Sequence, residues 1–218
     1  MKTLQILIAD DHELVRKGLR TVVEAQPGWA VCGEAVNGRQ AVELALQSKP
    51  DVIVLDITMP ELNGLEATRQ IRKACPATEV LILTMHESAQ LVGEVLAAGA
   101  HGYILKADTS RLLVSAITSL ARHAPFFTGK VSDVVLKGYL NHGNGLNDEP
   151  GPVHLPTPRE REIVQLLAEG KTNKDIAMTL GISIKTVDAH RANIMHKLNF
   201  RSVTELVRYA VRNQIIEA

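Results

Sequence analysis

From residue 4 to about residue 120, short apolar runs rich in β-branched residues alternate with stretches of helical period. Runs that are apolar at nearly every position suit strands buried on both faces of a parallel sheet, because a strand with one wet face would alternate instead. Five such strands are countable: Leu4 to Ala9, Ala30 to Ala35, Val52 to Leu55, Val80 to Leu83 and Gly102 to Leu105. Between them Val15, Leu19 and Val22 stand at i, i+4 and i+7, and Leu112, Leu113, Ala116, Ile117 and Leu120 make a broad stripe, so these segments are helices with one apolar face. Pro27-Gly28 and Gly99 follow helical segments where helix-ending residues belong. The pattern is that of βα units closing a parallel sheet.

Residues 122–154 break it. Pro125, Gly129, Gly138, Gly143, Gly145, Pro150, Gly151 and Pro152 are scattered among polar residues, the composition of a linker. One short helix fits its middle, VSDVVLKGYL, starting at Ser132. After Pro156 four helical segments follow in quick succession. Thr157 caps the first with Pro158 at its first position and Glu160 three residues on, a capping box. The second runs from about Thr172 to Leu180 and stops at Gly181, the third is capped by Ser183, and the fourth covers about Ser202 to Arg212. Two helices joined through a glycine turn, the second polar and basic on its outward side, describe a helix-turn-helix.

A few polar residues close the apolar runs: Asp10 and Asp11 after the first, Asp56 after the third, Thr84 after the fourth and Lys106 after the fifth. Open parallel sheets bind ligands at the carboxyl ends of their strands, so these groups are expected to meet at one edge. A carboxylate can attack a phosphoryl group, but its own charge repels the incoming phosphate unless cations intervene. Asp56 is the candidate nucleophile. Asp11, with Asp10 beside it, is suited to hold Mg²⁺, which takes one or two carboxylates together with phosphate oxygens and water. Lys106 supplies a mobile charge for another phosphate oxygen, and Thr84 a hydroxyl that reaches the phosphate once it is there. Pro60 keeps the chain leaving the third strand from turning helical too early, and Gly64 permits a tight approach near the next helix start. His12 is assigned no role, since the carboxylates already satisfy Mg²⁺.

Net charge adds a division to this picture. Lys and Arg number 24 and Asp and Glu 24 over 218 residues, but residues 1–124 carry 12 basic and 14 acidic side chains and residues 155–218 carry 10 and 7, so the C-terminal part is the positive one and hints at nucleic acid. The two cysteines, Cys32 and Cys75, belong to no CxxC pair and are expected to be inert buried thiols, with neither disulfide nor zinc site. No basic stretch precedes an apolar leader and no run of 18 apolar residues occurs, so a cytoplasmic protein with no membrane partner is expected.

Asp10-Asp11, Asp56, Pro60, Gly64, Thr84 and Lys106 occur in the order and spacing of response-regulator receiver domains, and TPREREIVQLLAEGKTNKDIAMTLGISIKTVDAHRANIMHKL matches LuxR-type DNA-binding domains almost throughout. The chain thus resembles a NarL/FixJ-family two-component response regulator. The resemblance implies a receiver over residues 1–121, with a flavodoxin-like, doubly wound five-stranded sheet, a linker over 122–154, and a four-helix DNA-binding domain over 155–218. It adds the backbone carbonyl of Thr58 as a metal ligand and Tyr103 as the aromatic switch position. Thr58 and His86, two residues after Asp56 and Thr84, are the candidates for setting how long a phosphoryl group survives. It implies phosphoryl transfer from a sensor histidine kinase to Asp56, control of dimerisation and of sequence-specific DNA binding, and contact with RNA polymerase. A phosphatase or phosphotransferase using Asp56 as nucleophile in the haloacid dehalogenase manner would want a second acid where Thr58 stands, so no enzyme is expected. A regulator whose receiver is a phosphorylation-independent dimerisation module remains the alternative.

In the third helix of the C-terminal part, Val187, Ile194 and Leu198 turn inward, while Lys185, Asp188, Ala189, Ala192 and His196 recur on one outward face that docking geometry places in the major groove of double-stranded DNA. Lys185, Thr186, Arg191 and Asn193 suit phosphates, as do Lys171, Thr172 and Lys174 at the preceding helix. Asp188, where many family members carry lysine, can accept from cytosine N4, and Ala189 and Ala192 offer contact to a thymine methyl. The last helix carries Val203, Leu206, Val207 and Ala210, more apolar side chains than a core-facing side needs. The resemblance makes it the dimerisation helix, through which a homodimer forms on two half-sites.

Overall fold

The computed structural model describes residues 3–85, 88–127 and 156–216, and these form two compact units. The expected short helix near Ser132 and the position of His86 lie outside the described residues.

In the α/β unit the elements run β1 (Leu4–Ala9), α1 (Glu13–Glu24), β2 (Trp29–Ala35), α2 (Gly38–Ser48), β3 (Val52–Asp56), α3 (Gly64–Ala74), β4 (Glu79–Thr84), α4 (Ala89–Ala97), β5 (Gly102–Leu105), a single 3₁₀ turn (Lys106–Asp108), α5 (Thr109–Leu120) and β6 (Phe126–Phe127). All strands are parallel in the order β2-β1-β3-β4-β5-β6. The order reverses between β1 and β3, the switch point at which doubly wound sheets open a crevice at their carboxyl edge. The sheet has six strands where the sequence pattern predicts five. Phe126 and Phe127 pair with Gly102 and Tyr103 of β5, so a two-residue edge strand lies within the first residues of the expected linker. Two residues after a proline carry no periodic signal, and only their pairing with β5 reveals them.

Both faces are dry at the central strands β3 and β4, as their unbroken apolar runs require, whereas the edge strand β2 is mostly half-buried. Ile6, Ile8, Val52, Val54, Leu81, Leu83 and Ile104 pack with Leu19 and Val23 of α1 and with Leu113, Ala116, Ile117 and Leu120 of α5. The alternate positions, Leu7, Ile53, Leu55, Ile82 and Tyr103, are equally buried. Cys75 is buried, but Cys32 is only half-buried on β2, because β2 lies at the sheet's edge. Among the described residues no helix is long and apolar enough to cross a membrane.

A polar clamp closes the end of the sheet remote from the carboxyl edge. Glu79 opens β4 and is buried. His101, just before β5, places Nδ1 2.5 Å from one of its oxygens, and His123, just after α5, places Nδ1 2.8 Å from the other. Burial alone would raise the Glu79 carboxyl; hydrogen bonds from His123 and His101, with the charges of His101 and Arg72, outweigh it and hold the carboxyl below its ordinary value. A carboxyl lowered on folding contributes stability above its unfolded value and loses it as the pH falls through the folded one. Glu79→Gln is therefore expected to destabilise the α/β unit by about 2 kcal/mol near neutral pH, and the deficit should shrink below about pH 4. Trp29, the only tryptophan, packs against this core and reports the unit's urea transition by fluorescence. A deficit that does not change with pH would exclude the clamp as its source.

The helical unit comprises α6 (Pro158–Ala168), α7 (Asn173–Leu180), α8 (Ile184–Lys197) and α9 (Val203–Arg212). Each start is capped as its sequence demands: Thr157 and Thr172 form complete capping boxes with Glu160 and Asp175, and Ser183 and Ser202 accept from the backbone N–H three residues on. Gly181 ends α7 in the left-handed region at φ 62°, which turns the chain into α8 within three residues. Ile163, Val164, Leu166, Ile176, Val187, Ile194, Leu206 and Ala210 share one core.

Candidate functional site

Parallel pairing brings the polar strand ends together. Ala9 is in register with Leu55, and Asp56 with Leu83, so Asp10 follows β1 beside the end of β3, and Thr84 closes β4 beside it. Thr84 is in register with Leu105, which puts Lys106 one residue further along the same edge. Asp10, Asp56 and Thr84 are buried, and Asp11 is partly exposed.

Lys106 Nζ lies 2.8 Å from Asp10 Oδ2 and 2.8 Å from Asp56 Oδ2. Asp10 Oδ2 is fully buried and takes no directed hydrogen bond, so the ammonium charge is its compensation. Burial pushes the Asp56 carboxyl up to about 7, and the neighbouring Asp10 charge adds to the rise, against the pull of Lys106. Burial works against the Lys106 charge too, but its contacts with Asp10 and Asp56 keep the ammonium above its ordinary range. The two directions agree physically: Lys106 faces two anions, while Asp56 faces one cation and a second anion. One ammonium between two buried carboxylates leaves excess negative charge, which a divalent cation would neutralise. Carboxylate oxygens of Asp10, Asp11 and Asp56 and a ring nitrogen of His12 all lie within 4.8 Å of one another, a donor set that fits such an ion.

The loop after β3 explains Gly64. Its N–H donates to the Ile57 carbonyl at 2.7 Å, closing the chain back onto the strand end. A Cβ at residue 64 would press into the Asp56 carbonyl group, with the carbonyl carbon and Ile57 Cα each 2.9 Å away. Only glycine lets α3 start this close to Asp56. Thr58 is half-buried in this loop, and Tyr103 is buried on β5.

Two residues at this edge were given no role by sequence. Arg16, in the first half of α1, donates from Nη1 to the Asp10 carbonyl at 2.8 Å and sets Nε 3.5 Å from Glu34 of β2, fastening the backbone that carries Asp10. His12 sets Nδ1 2.8 Å from Asp11 and 3.3 Å from Asp10. Helical spacing from Asp10 could have suggested Arg16, but its reach to a carbonyl is a matter of rotamer.

In the helical unit, α8 shows the division into faces that its period predicts. Val187 and Ile194 are buried, whereas Lys185, Thr186, Asp188, Ala189, Ala192 and Asn193 are exposed and Arg191 is half-exposed. Lys171, just before α7, and Lys174, in its first turn, are exposed. Three side chains are engaged in ways sequence did not show. Asp188 Oδ1 accepts from Asn173 Nδ2 at 2.5 Å, which ties the start of α7 to α8 and leaves Asp188 less than a free acceptor. The Thr172 hydroxyl donates to Asp175 at 2.5 Å, and Thr186 Oγ1 lies 2.8 Å from Ser183 Oγ, so both hydroxyls serve helix starts first. On α9 the expected dimerisation set divides. Leu206 and Ala210 are buried in the unit's own core, because their side faces α6, while Val203 is 41 % exposed and Val207 half-buried.

The profile of the response regulator receiver domain matches residues 6–118, and that of the bacterial regulatory proteins of the luxR family matches residues 156–210. The chain is 37 % identical over 216 residues to the oxygen regulatory protein NreC of Staphylococcus carnosus, covering 98 % of this chain and all of that one. It is 39 % identical over 214 residues to the transcriptional regulatory protein LiaR of Bacillus subtilis, covering 98 % and 99 %. Among solved structures it is similar to RcsB of Salmonella enterica serovar Typhimurium bound to the rprA promoter with the phosphomimetic BeF₃⁻, at 26 % identity, covering 95 % and 98 % of the two chains with a TM-score of 0.60. An acidic sheet edge centred on Asp56, a capped helix-turn-helix and these two matching profiles together show that the chain belongs to the NarL/FixJ-family response regulators, the transcription regulators of two-component systems.

Proposed function

We propose that Asp56 is the phosphoacceptor of this regulator and that its phosphorylation controls dimerisation and sequence-specific DNA binding. The observation that carries the reading is the Asp56 carboxylate 2.8 Å from the Lys106 ammonium, beside two further acids at the open edge of the sheet. An Asp56 oxygen attacks phosphorus, the bond from phosphorus to the donor's leaving atom breaks, and the leaving group departs with the electron pair. Lys106 follows a phosphate oxygen with its charge, and Thr84, one residue beyond the partner of Asp56 in the sheet, donates its hydroxyl to another. Asp10, Asp11, Asp56 and the Thr58 carbonyl are the residues that would hold Mg²⁺, which when bound neutralises the charge that repels phosphate. Tyr103, on the strand that leads to Lys106, is the residue whose packing answers the change.

The receiver is assigned to residues 1–121, the linker to 122–154 and the DNA-binding domain to 155–218. Within the last, Lys171, Thr172, Lys174, Lys185, Thr186, Arg191 and Asn193 position the protein on phosphates, and Asp188, Ala189 and Ala192 face base edges. Val203 and Val207, the part of the α9 set outside the buried core, are the dimer contacts. A sensor histidine kinase is the donor, the target is double-stranded DNA in the cytoplasm, RNA polymerase is the further partner, and no enzymatic turnover of an external substrate is assigned.

Acetyl phosphate with Mg²⁺ is expected to add one phosphoryl group to the intact protein, seen by mass, and to tighten its binding in genome-wide footprinting in vitro. Asp56→Asn should lose both effects. A wild-type chain that gains no mass yet footprints fully would favour the alternative, a receiver that serves only as a dimerisation module.

A further inference from the structure

We propose that His12 is a metal ligand, completing with Asp10, Asp11 and Asp56 a mixed nitrogen and oxygen site for a borderline divalent transition-metal cation. The inference rests on the cation pocket of the preceding reading and extends it to a residue and an ion class outside that carboxylate set.

His12 is the N-cap of α1, yet its side chain makes no capping hydrogen bond. Its backbone N–H donates to Asp10 Oδ1 at 2.9 Å, and its ring turns back over the acids, with Nδ1 2.8 Å from Asp11 Oδ1 and 3.3 Å from Asp10 Oδ1. These are the spacings of adjacent ligands on one ion. At metal–ligand bonds of about 2.1 Å, neighbouring octahedral donors stand about 3.0 Å apart and opposite ones about 4.2 Å. One donor atom from each of the four residues lies within 4.8 Å of the others, a few tenths of an ångström wider than an occupied shell, so a small closure of side chains about an ion brings all four to bonding distance. Lys106 sits at Oδ2 of both Asp10 and Asp56, while Asp10 Oδ1 is the oxygen that faces the imidazole. The ring is 57 % exposed, so a hydrated ion reaches it directly from solvent.

The chemistry of the added nitrogen decides which ions benefit. Mg²⁺ is a hard ion that keeps oxygen ligands and water, and an imidazole offers it little. Mn²⁺, Co²⁺ and Ni²⁺ gain from nitrogen, increasingly along the series, and Zn²⁺ takes imidazole readily too. The site should therefore hold Co²⁺ more tightly than its carboxylates alone would, whereas its Mg²⁺ affinity should be indifferent to His12.

The test is calorimetric titration of the full chain with Co²⁺ and, separately, Mg²⁺, without a phosphodonor, on wild type, His12→Ala and Asp56→Asn. The visible Co²⁺ bands are read alongside, and the pocket event is the one that Asp56→Asn weakens. His12→Ala should lower Co²⁺ affinity at that event by at least about tenfold, since even outer partners of metal ligands are worth that much, and should shift the Co²⁺ bands. Its Mg²⁺ affinity should stay within about twofold of wild type, which also shows that the acids are still in place. Unchanged Co²⁺ affinity and spectrum in His12→Ala would overturn the inference and leave the carboxylate pocket standing. An equal loss for both ions would overturn it as well, because His12 would then only shape the acids. A wild-type chain that binds neither ion would refute the pocket itself.

Discussion

Gly64→Ala is expected to cost the α/β unit about 3 kcal/mol or more and to displace Asp56, although it adds a single methyl group. The clash falls on backbone, the Asp56 carbonyl group and Ile57 Cα, so no side-chain rotamer can relieve it. Either the Gly64 N–H leaves the Ile57 carbonyl and α3 starts elsewhere, or the end of β3 moves. Both routes shift the carboxylate on which the site is centred. In thermal unfolding followed through Trp29 the midpoint should fall by on the order of 10 °C, and phosphorylation by acetyl phosphate should fall with it. A midpoint and a phosphorylation rate equal to wild type would show that this loop is not the constraint. Gly93, with nothing within 4 Å of its added Cβ, is the control position, where alanine should be tolerated.

Lys106→Met should have a comparable effect, and its pH dependence identifies the cause. Methionine keeps the buried stem but removes the charge 2.8 Å from both Asp10 and Asp56, leaving two buried carboxylates without the cation between them. Breaking a buried pair in this way costs about 3 kcal/mol when both acids are ionised. Asp56, raised to about 7 by burial and by Asp10, binds a proton in the folded state over a range where the unfolded chain has released it. Stability attached to Asp56 therefore falls as the pH rises from its unfolded value near 4 towards 7, and then levels off. Without Lys106 the folded value rises further. The deficit of the variant relative to wild type, measured in EDTA by urea unfolding, should be large at about pH 8 and much smaller at about pH 5, where Asp56 carries its proton. A deficit equal at both values would assign the loss to packing of the Lys106 stem instead.

The site was legible in sequence because each of its groups ends an apolar run. Asp10, Asp56, Thr84 and Lys106 can be placed at one edge by counting strands, since parallel pairing puts all carboxyl ends on the same side. The helix starts were equally legible: Thr157 with Glu160 and Ser183 with the Thr186 N–H are local contacts between residues three apart, and the structure forms both. Phe126 and Phe127 were not legible, because two residues acquire strand geometry only by lying beside Gly102 and Tyr103.

Side-chain partnerships followed the same rule. The faces of α8 follow from a period of 3.6, but the Asn173 to Asp188 hydrogen bond joins residues on two helices and depends on the angle that the Gly181 turn sets. The split of the α9 set had the same origin: four apolar side chains look alike in sequence, and the position of α6 decided that Leu206 and Ala210 belong to the core while Val203 stays outside. His12 was set aside as a lone histidine, and the turn of its ring toward Asp10 and Asp11 brings it into the acid cluster.

Sequence alone determined the five longer strands, the capped helix starts of the C-terminal unit and which strand ends carry charge, because these follow from burial periodicity and from hydrogen bonds a few residues long. The tertiary structure alone decided the sixth strand, the close seat of Gly64 against Asp56, the hold of Arg16 on Asp10 and the approach of His12 to the acids. Each of those is a contact between segments that the chain brings together only by folding, at distances where a few tenths of an ångström separate a bond from a clash.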